Sequence, residues 1–166
     1  AARPGSLVSG DSFSQIKLKD GKLAFIISDG MGYGTKAALE SGTTVKLLKQ
    51  LLDYGFDREF AVSTVNSILL LRSPDDIFAT VDLAIVDLFT GTVEFVKNGA
   101  APSYIMKRGG VVQRVQANSM PLGMLDRVDY YCERACLDGG DTLVMVTDGI
   151  TDACAGAIEG DEWLLH

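Results

Sequence analysis

Three aspartates, Asp11, Asp29 and Asp148, are the residues from which chemistry can be built in this chain. Asp29 closes LAFIISDG and Asp148 closes LVMVTDG, each a short apolar run followed by a small hydroxyl residue, then Asp, then Gly. Asp11 sits in SGDS. The apolar runs at 23–27 and 143–146 are too short for helices and rich in branched residues, so they read as buried strands. A carboxylate at the end of such a strand is held by a rigid element, and the glycine after it permits close backbone approach. Two such ends can set Asp29 and Asp148 side by side, where they repel unless a hard cation lies between them. With no Cys or His near them, an oxygen-only donor set selects Mg2+ or Mn2+ over zinc or copper. Taken singly, Asp-Gly is a common hairpin dipeptide, and Asp20-Gly21 reads as one. Asp29-Gly30 differs, because Met-Gly-Tyr-Gly and then a helical pattern follow it rather than a returning strand.

The elements that must position these groups follow from periodicity. Residues 12–19 and 22–28 form two extended runs joined by Asp20-Gly21. From 35 to 53 the period becomes helical, with Leu39, Val45, Leu47, Leu48, Leu51 and Leu52 on the apolar stripe and Gly55 as terminator. Asp57 caps a second helix carrying Phe60, Ala61, Val65, Ile68 and Leu69, which Ser73-Pro74 ends. Beyond it the pattern is β: 78–88 with 92–97 across Thr90-Gly91, and 103–107 with 111–116 across Gly109-Gly110. A third hairpin is predicted for 128–137 with 142–147, through Gly139-Gly140-Asp141. Repeated tight hairpins mean antiparallel sheet, and the adjacent helices must cover one face, so the fold class is α+β.

Composition bounds the partners. The chain has 166 residues, 47% of them hydrophobic, enough for one domain with a real core. A net charge of −7 and the lack of a basic stripe argue against a nucleic-acid partner. No apolar run reaches the roughly 18 residues of a membrane span, and the small, polar start AARPGSLVSG does not read as a signal peptide. Cys132, Cys136 and Cys154 are odd in number and lack metal-finger spacing, so they read as free thiols in a reducing cytoplasm. Gly30, Gly32 and Gly34 suggest a phosphate loop, but G-M-G-Y-G-T-K fits neither GxGxxG nor GxxxxGK[ST]. No Cys precedes a basic anion-binding loop, and the single His166 is a poor general base. Asp82, inside FATVDLAIVDL, reads as a buried carboxylate hydrogen-bonded to backbone, with a supporting role at the site as the alternative. Asn98-Gly99 reads as a turn.

The stretches VSGDSFS, AFIISDGMGYGTKAALES, VNSILLLRSPDDIFATVDLAIVDL, NSMPLGML and LVMVTDGI, in that order across 8–152, carry a resemblance. They are similar to the metal-dependent PPM serine/threonine phosphatases, and among these to the stage II sporulation protein E phosphatase domains. The resemblance implies a four-layer α-β-β-α sandwich of antiparallel sheets with two ions, Mn2+ or Mg2+, held between the sheets. It implies that Asp29 bridges both ions, that the Gly30 carbonyl binds the first, and that Asp148 binds the second. Asp11 would contact the first ion through water. The implied substrate is phosphoserine on an anti-anti-sigma factor protein, whose dephosphorylation activates a sporulation sigma factor. Hydrolysis by a hydroxide shared between two ions needs no protein nucleophile, which agrees with the residues available. The resemblance also implies a cytoplasmic domain of a membrane-anchored protein, with movement of the helix pair linked to regulation.

Two departures shape the expectation. The family's last strand, opening on a further Asp, has no counterpart here, since Asp152 and Asp161 lie too near the preceding motif. Strands expected upstream of Val8 are short or missing. The chain is therefore read as a single phosphatase domain over 1–166, a fragment incomplete at both ends and weakly active or inactive. A catalytically incomplete interaction module of the same fold is the alternative. No membrane contact by this chain is expected, and homodimerisation stays open.

Overall fold

The structure, a computed structural model, describes residues 9–30, 34–72, 78–128 and 131–151. Gly32, Ser73-Pro74, Asp152, Cys154, Asp161 and His166, singled out above, lie outside the described residues. Strands β1 (Asp11–Lys17) and β2 (Lys22–Asp29) form the first hairpin, in a register that sets Asp11 opposite Asp29. Asp20 and Gly21 make its turn with φ of 57° and 69°, the left-handed pair that a two-residue hairpin turn needs.

Helices α1 (Gly34–Asp53) and α2 (Arg58–Arg72) follow as the sequence predicts. Gly55, at φ 90°, closes α1: its N–H and that of Phe56 donate back to the Leu52 and Leu51 carbonyls. Asp57 caps α2, its Oδ1 accepting the Phe60 N–H at 2.8 Å. The buried stripe of α1 departs from expectation. It runs through Ala37, Glu40, Ser41, Thr44, Val45, Leu48 and Leu52, whereas Leu39 is 71% exposed. The first half of the stripe is polar because it meets polar strand residues, Ser41 Oγ lying 2.9 Å from Ser12 Oγ. An apolar count alone therefore misplaces the face by one position.

Strands β3 (Val81–Asp87) and β4 (Thr92–Asn98) form the second predicted hairpin, and β5 (Ser103–Met106) and β6 (Val112–Val115) the next. The hairpin predicted for 128–137 with 142–147 does not form. Strands β7 (Cys132–Cys136) and β8 (Thr142–Met145) do not pair with each other: β7 joins β4 and β8 joins β5. Two sheets result, ordered β1-β2-β3-β4-β7 and β6-β5-β8, and residues 138–141 carry the chain from one to the other. Lys107, just past β5, pins this corner, its Nζ donating to the Cys136 carbonyl and to Asp141 Oδ2 at 2.7 Å each. Asp141 also accepts the N–H groups of Asp138 and Arg108 at 2.9 Å.

Lys107 and then these N–H donors hold the Asp141 carboxyl down to about 2. A carboxylate depressed in the fold adds stability above its unfolded pKa and loses it as pH falls toward the folded value. Asp141→Ala is thus expected to lower the melting temperature at pH 7 and to flatten the loss of stability between about pH 4 and pH 2. Acid titration followed by circular dichroism reads both effects.

Alternation along the central strands makes two cores. On one face of the larger sheet, Ala24, Ile26, Leu83, Ile85 and Val96 pack with helix residues such as Leu48, Val62, Val65 and Leu69. On the other, Ala84, Val86, Val93 and Phe95 pack with Ile105 and Val115 of the second sheet. Burial of β3 on both faces explains its nearly continuous apolar run. The α+β class and antiparallel sheets are as expected, with helix, sheet and sheet layers among the described residues.

Candidate metal centre

The predicted carboxylates meet at one end of the space between the sheets. Asp11 and Asp29 are direct cross-strand partners at the open end of the first hairpin. Asp148 opens the short helix α3 (Asp148–Thr151), two residues beyond β8. Thr147 links the sheets there, its Oγ1 donating to Asp11 Oδ2 at 3.4 Å, and Ser9 Oγ donates to the same oxygen at 3.1 Å. Thr80 fixes the backbone of Asp29: its Oγ1 accepts the Asp29 N–H at 2.8 Å, and its own N–H donates to the Asp29 carbonyl at 3.0 Å.

Electrostatics reports how closely the acids gather. The Asp29 carboxyl is pushed up to about 7, first by burial and then by the negative charges of Asp148 and Asp11. Like charges that cannot all ionise comfortably define a site that a cation would relieve. Among the described residues no group of three His, Cys, Asp or Glu side chains is placed to hold a metal ion. The convergence instead supplies hard oxygen donors with excess negative charge, which fits a divalent cation such as Mg2+ or Mn2+.

Gly30 is required here for a reason beyond ligand approach. It bridges to Ala79, its N–H donates to the Gly10 carbonyl at 3.2 Å, and a Cβ on it would lie 1.9 Å from the Ala37 carbonyl oxygen. The first turn of α1 thus sits directly on this glycine. Gly30→Ala must push α1 away and is expected to cost about 1–3 kcal/mol by overpacking, read from a urea midpoint. The phosphate-loop reading gains nothing from this geometry, since three carboxylates would face the anion.

A cavity of about 30 Å³ lies beside the acids, with Asp29, Thr80, Asp82, Gly99, Thr147 and Asp148 on its wall. Where the sequence predicts a turn at Asn98-Gly99, Asn98 closes β4 and Gly99, at φ 62°, bends the chain, so that Ala100 and Ala101 line this cavity. Asp82 corrects its sequence reading: its carboxylate bonds side chains, Lys97 and Ser103, and not backbone. Thr80, Lys97 and Ser103 were missed. For Lys97 a signal existed, since a turn at Thr90-Gly91 sets the single Lys of β4 opposite Asp82 in the apolar run of β3. Thr80 and Ser103 carried none. Cys132 and Cys136 share one exposed face of β7 as free thiols.

Comparison with known proteins gives the family and the fold. The family model of stage II sporulation protein E (SpoIIE) matches residues 19–165. The chain is 44% identical over 164 residues to stage II sporulation protein E of Bacillus subtilis (strain 168), covering 99% of this chain and 20% of that protein. It is 42% identical to the protein of the same name from Priestia megaterium, covering 99% of this chain and 28% of that one. Among solved structures, the PP2C phosphatase domain of SpoIIE from Bacillus subtilis, with a fragment of its regulatory domain, superposes with TM-score 0.88 at 44% identity. That match covers 99% of this chain and 48% of the other. The chain thus spans between a fifth and three tenths of the length of these curated relatives.

Proposed function

The chain belongs to the stage II sporulation protein E family, with its PP2C-type serine/threonine phosphatase fold, and from that premise we propose that it hydrolyses phosphoserine on a protein. The observation that carries the proposal is the meeting of Asp11, Asp29 and Asp148, with the Asp29 carboxyl raised to about 7. Asp29, the Gly30 carbonyl and Asp148 would hold the divalent ions, with Asp11 supporting them. When bound, such ions supply Lewis acidity that lowers the pKa of water and neutralises charge on a phosphoryl group. The protein's own part is placement. Thr80 locks the Asp29 backbone, the Ser9 and Thr147 hydroxyls orient Asp11, and the first turn of α1 packs on Gly30.

The substrate that family membership favours is a phosphorylated anti-anti-sigma factor, its dephosphorylation activating a sporulation sigma factor. Membership also favours a domain facing the cytoplasm within a longer membrane-anchored protein. Among the described residues no helix is long and apolar enough to cross a membrane. Phosphate release from a phosphoserine-bearing anti-anti-sigma protein, with Mn2+ and then with EDTA, tests the proposal. Release that requires Mn2+ and disappears in Asp148→Asn is expected. Release unaffected by EDTA and by Asp148→Asn would overturn it.

A further inference from the structure

A buried polar triad lies beneath the carboxylate site. Lys97 and Asp82 are cross-strand partners, and both reach into the layer between the sheets toward Ser103. Lys97 Nζ donates to Asp82 Oδ2 at 2.6 Å and to Ser103 Oγ at 2.8 Å, and Ser103 Oγ donates to the same Oδ2 at 2.6 Å. All three residues are at most 1% exposed. Both bonds to the Asp82 carboxylate go to Oδ2, and its other oxygen, Oδ1, is buried with no hydrogen-bond partner. An unpaired buried oxygen of this kind costs about 1–3 kcal/mol, and more when it carries charge.

Asp82 lines the cavity of about 30 Å³ together with Asp29, Thr80 and Asp148, whereas neither Lys97 nor Ser103 lies on its wall. A polar cavity of this size holds one or two waters, at roughly 10–15 Å³ for each. The register fixes the span. Asp82 pairs with Ile27, so Asp29 is its diagonal neighbour on the same face, with roughly 7–8 Å between the two backbone positions and both side chains lining one cavity. Stability alone is a weak account of the triad, because an apolar replacement of a buried ion pair is usually no less stable. Ala84, Val86, Phe95 and Ile105 already make the surrounding layer apolar.

We propose that Asp82 is a positioning residue for the metal centre: its free Oδ1 accepts a hydrogen bond from a cavity water whose second proton goes to the Asp29 carboxylate. Lys97 and Ser103 clamp the other oxygen, and Lys97 neutralises the charge, so Asp29 is oriented without a rival anion beside it. This rests on the metal-dependent phosphatase reading.

The test is Mn2+ affinity by calorimetry on the wild type, on Asp82→Leu with Lys97→Met, and on Asp82→Asn with Lys97→Met. Both double variants remove the buried charges together. The Leu variant is expected to bind Mn2+ about 10–100-fold more weakly, the usual loss when a ligand's supporting partner is removed. The Asn variant, which keeps an acceptor oxygen, is expected to recover to within a few-fold of wild type. Wild-type affinity in the Leu variant, or no recovery with Asn, overturns the inference while leaving the metal site standing. Absence of Mn2+ binding by the wild type overturns both. Should the Leu variant fail to fold, a high-resolution crystal structure of the wild type decides. A water bonded to both Asp82 Oδ1 and Asp29 is expected, and a dry cavity contradicts the inference.

Discussion

Asp29→Asn is expected to abolish Mn2+-dependent turnover while making the metal-free fold more stable at neutral pH. The two effects have one cause. Burial and the charges of Asp148 and Asp11 raise the Asp29 carboxyl from 3.8 to about 7. Below about pH 4 the group is protonated in both folded and unfolded chains and costs nothing. As pH climbs from about 4 to 7 the unfolded chain ionises first, so folding stability is lost over that window and levels off above it. A shift of this size is worth roughly 4 kcal/mol unscreened, and solvent around a half-buried group reduces that to about 2 kcal/mol. Asp11, held below the ordinary carboxylate range, adds a change of the opposite sign at lower pH. The neutral amide of the variant removes the destabilising charge, but the central ligand goes with it. Turnover should then fall by at least about 10²–10³-fold, the loss typical when one stabiliser of transition-state charge is deleted. Urea midpoints in EDTA from pH 4 to 8, with phosphate-release rates in Mn2+, read both signs. Equal pH slopes in the two proteins would contradict the electrostatic account.

The largest loss of stability is expected from Lys97→Met. It strands the Asp82 carboxylate, whose side chain is 2% exposed, without the ammonium 2.6 Å away. Breaking a buried pair from one side costs about 3–5 kcal/mol. Burial already pushes the Asp82 carboxyl up, and the neighbouring Lys97 charge restrains it. Without Lys97 it will take up a proton on folding, so the variant should be least stable at high pH. Glu94 offers a contrast. It pairs with Arg58 at 2.8 Å and Arg134 at 2.7 Å, but the Arg134 side chain is 70% exposed. Solvent screens such pairs, and Arg134→Ala is expected to cost no more than about 1 kcal/mol. Chemical denaturation of both variants gives the comparison, and similar losses would contradict the ranking by burial.

Local signals carried most of what was legible in the sequence. Asp20-Gly21, Gly55, Asp57 and Thr90-Gly91 each act within a few residues, and each marks the reversal or cap expected of it. The Asp-Gly motifs at the ends of apolar runs likewise led to Asp29 and Asp148, because strand ends at one edge of a sandwich converge. Choice of strand partner was not legible. The turn at 138–141 announces a reversal, but β7 finds β4 and β8 finds β5 through contacts distant in sequence. Lys107 and Asp141, which pin that corner, look like ordinary surface charges until the fold is known. Leu39 failed for a related reason: the helix face is chosen by what the strands present, and near the site they present hydroxyls.

The central claim is that Asp29 organises a divalent-metal site, and Mn2+ titration followed by thermal unfolding, on the chain and on Asp29→Asn, tests it most directly. Saturation at about 100 times the dissociation constant should stabilise the native chain by roughly 2.7 kcal/mol and leave Asp29→Asn unmoved. Equal stabilisation of both proteins, or of neither, would contradict it.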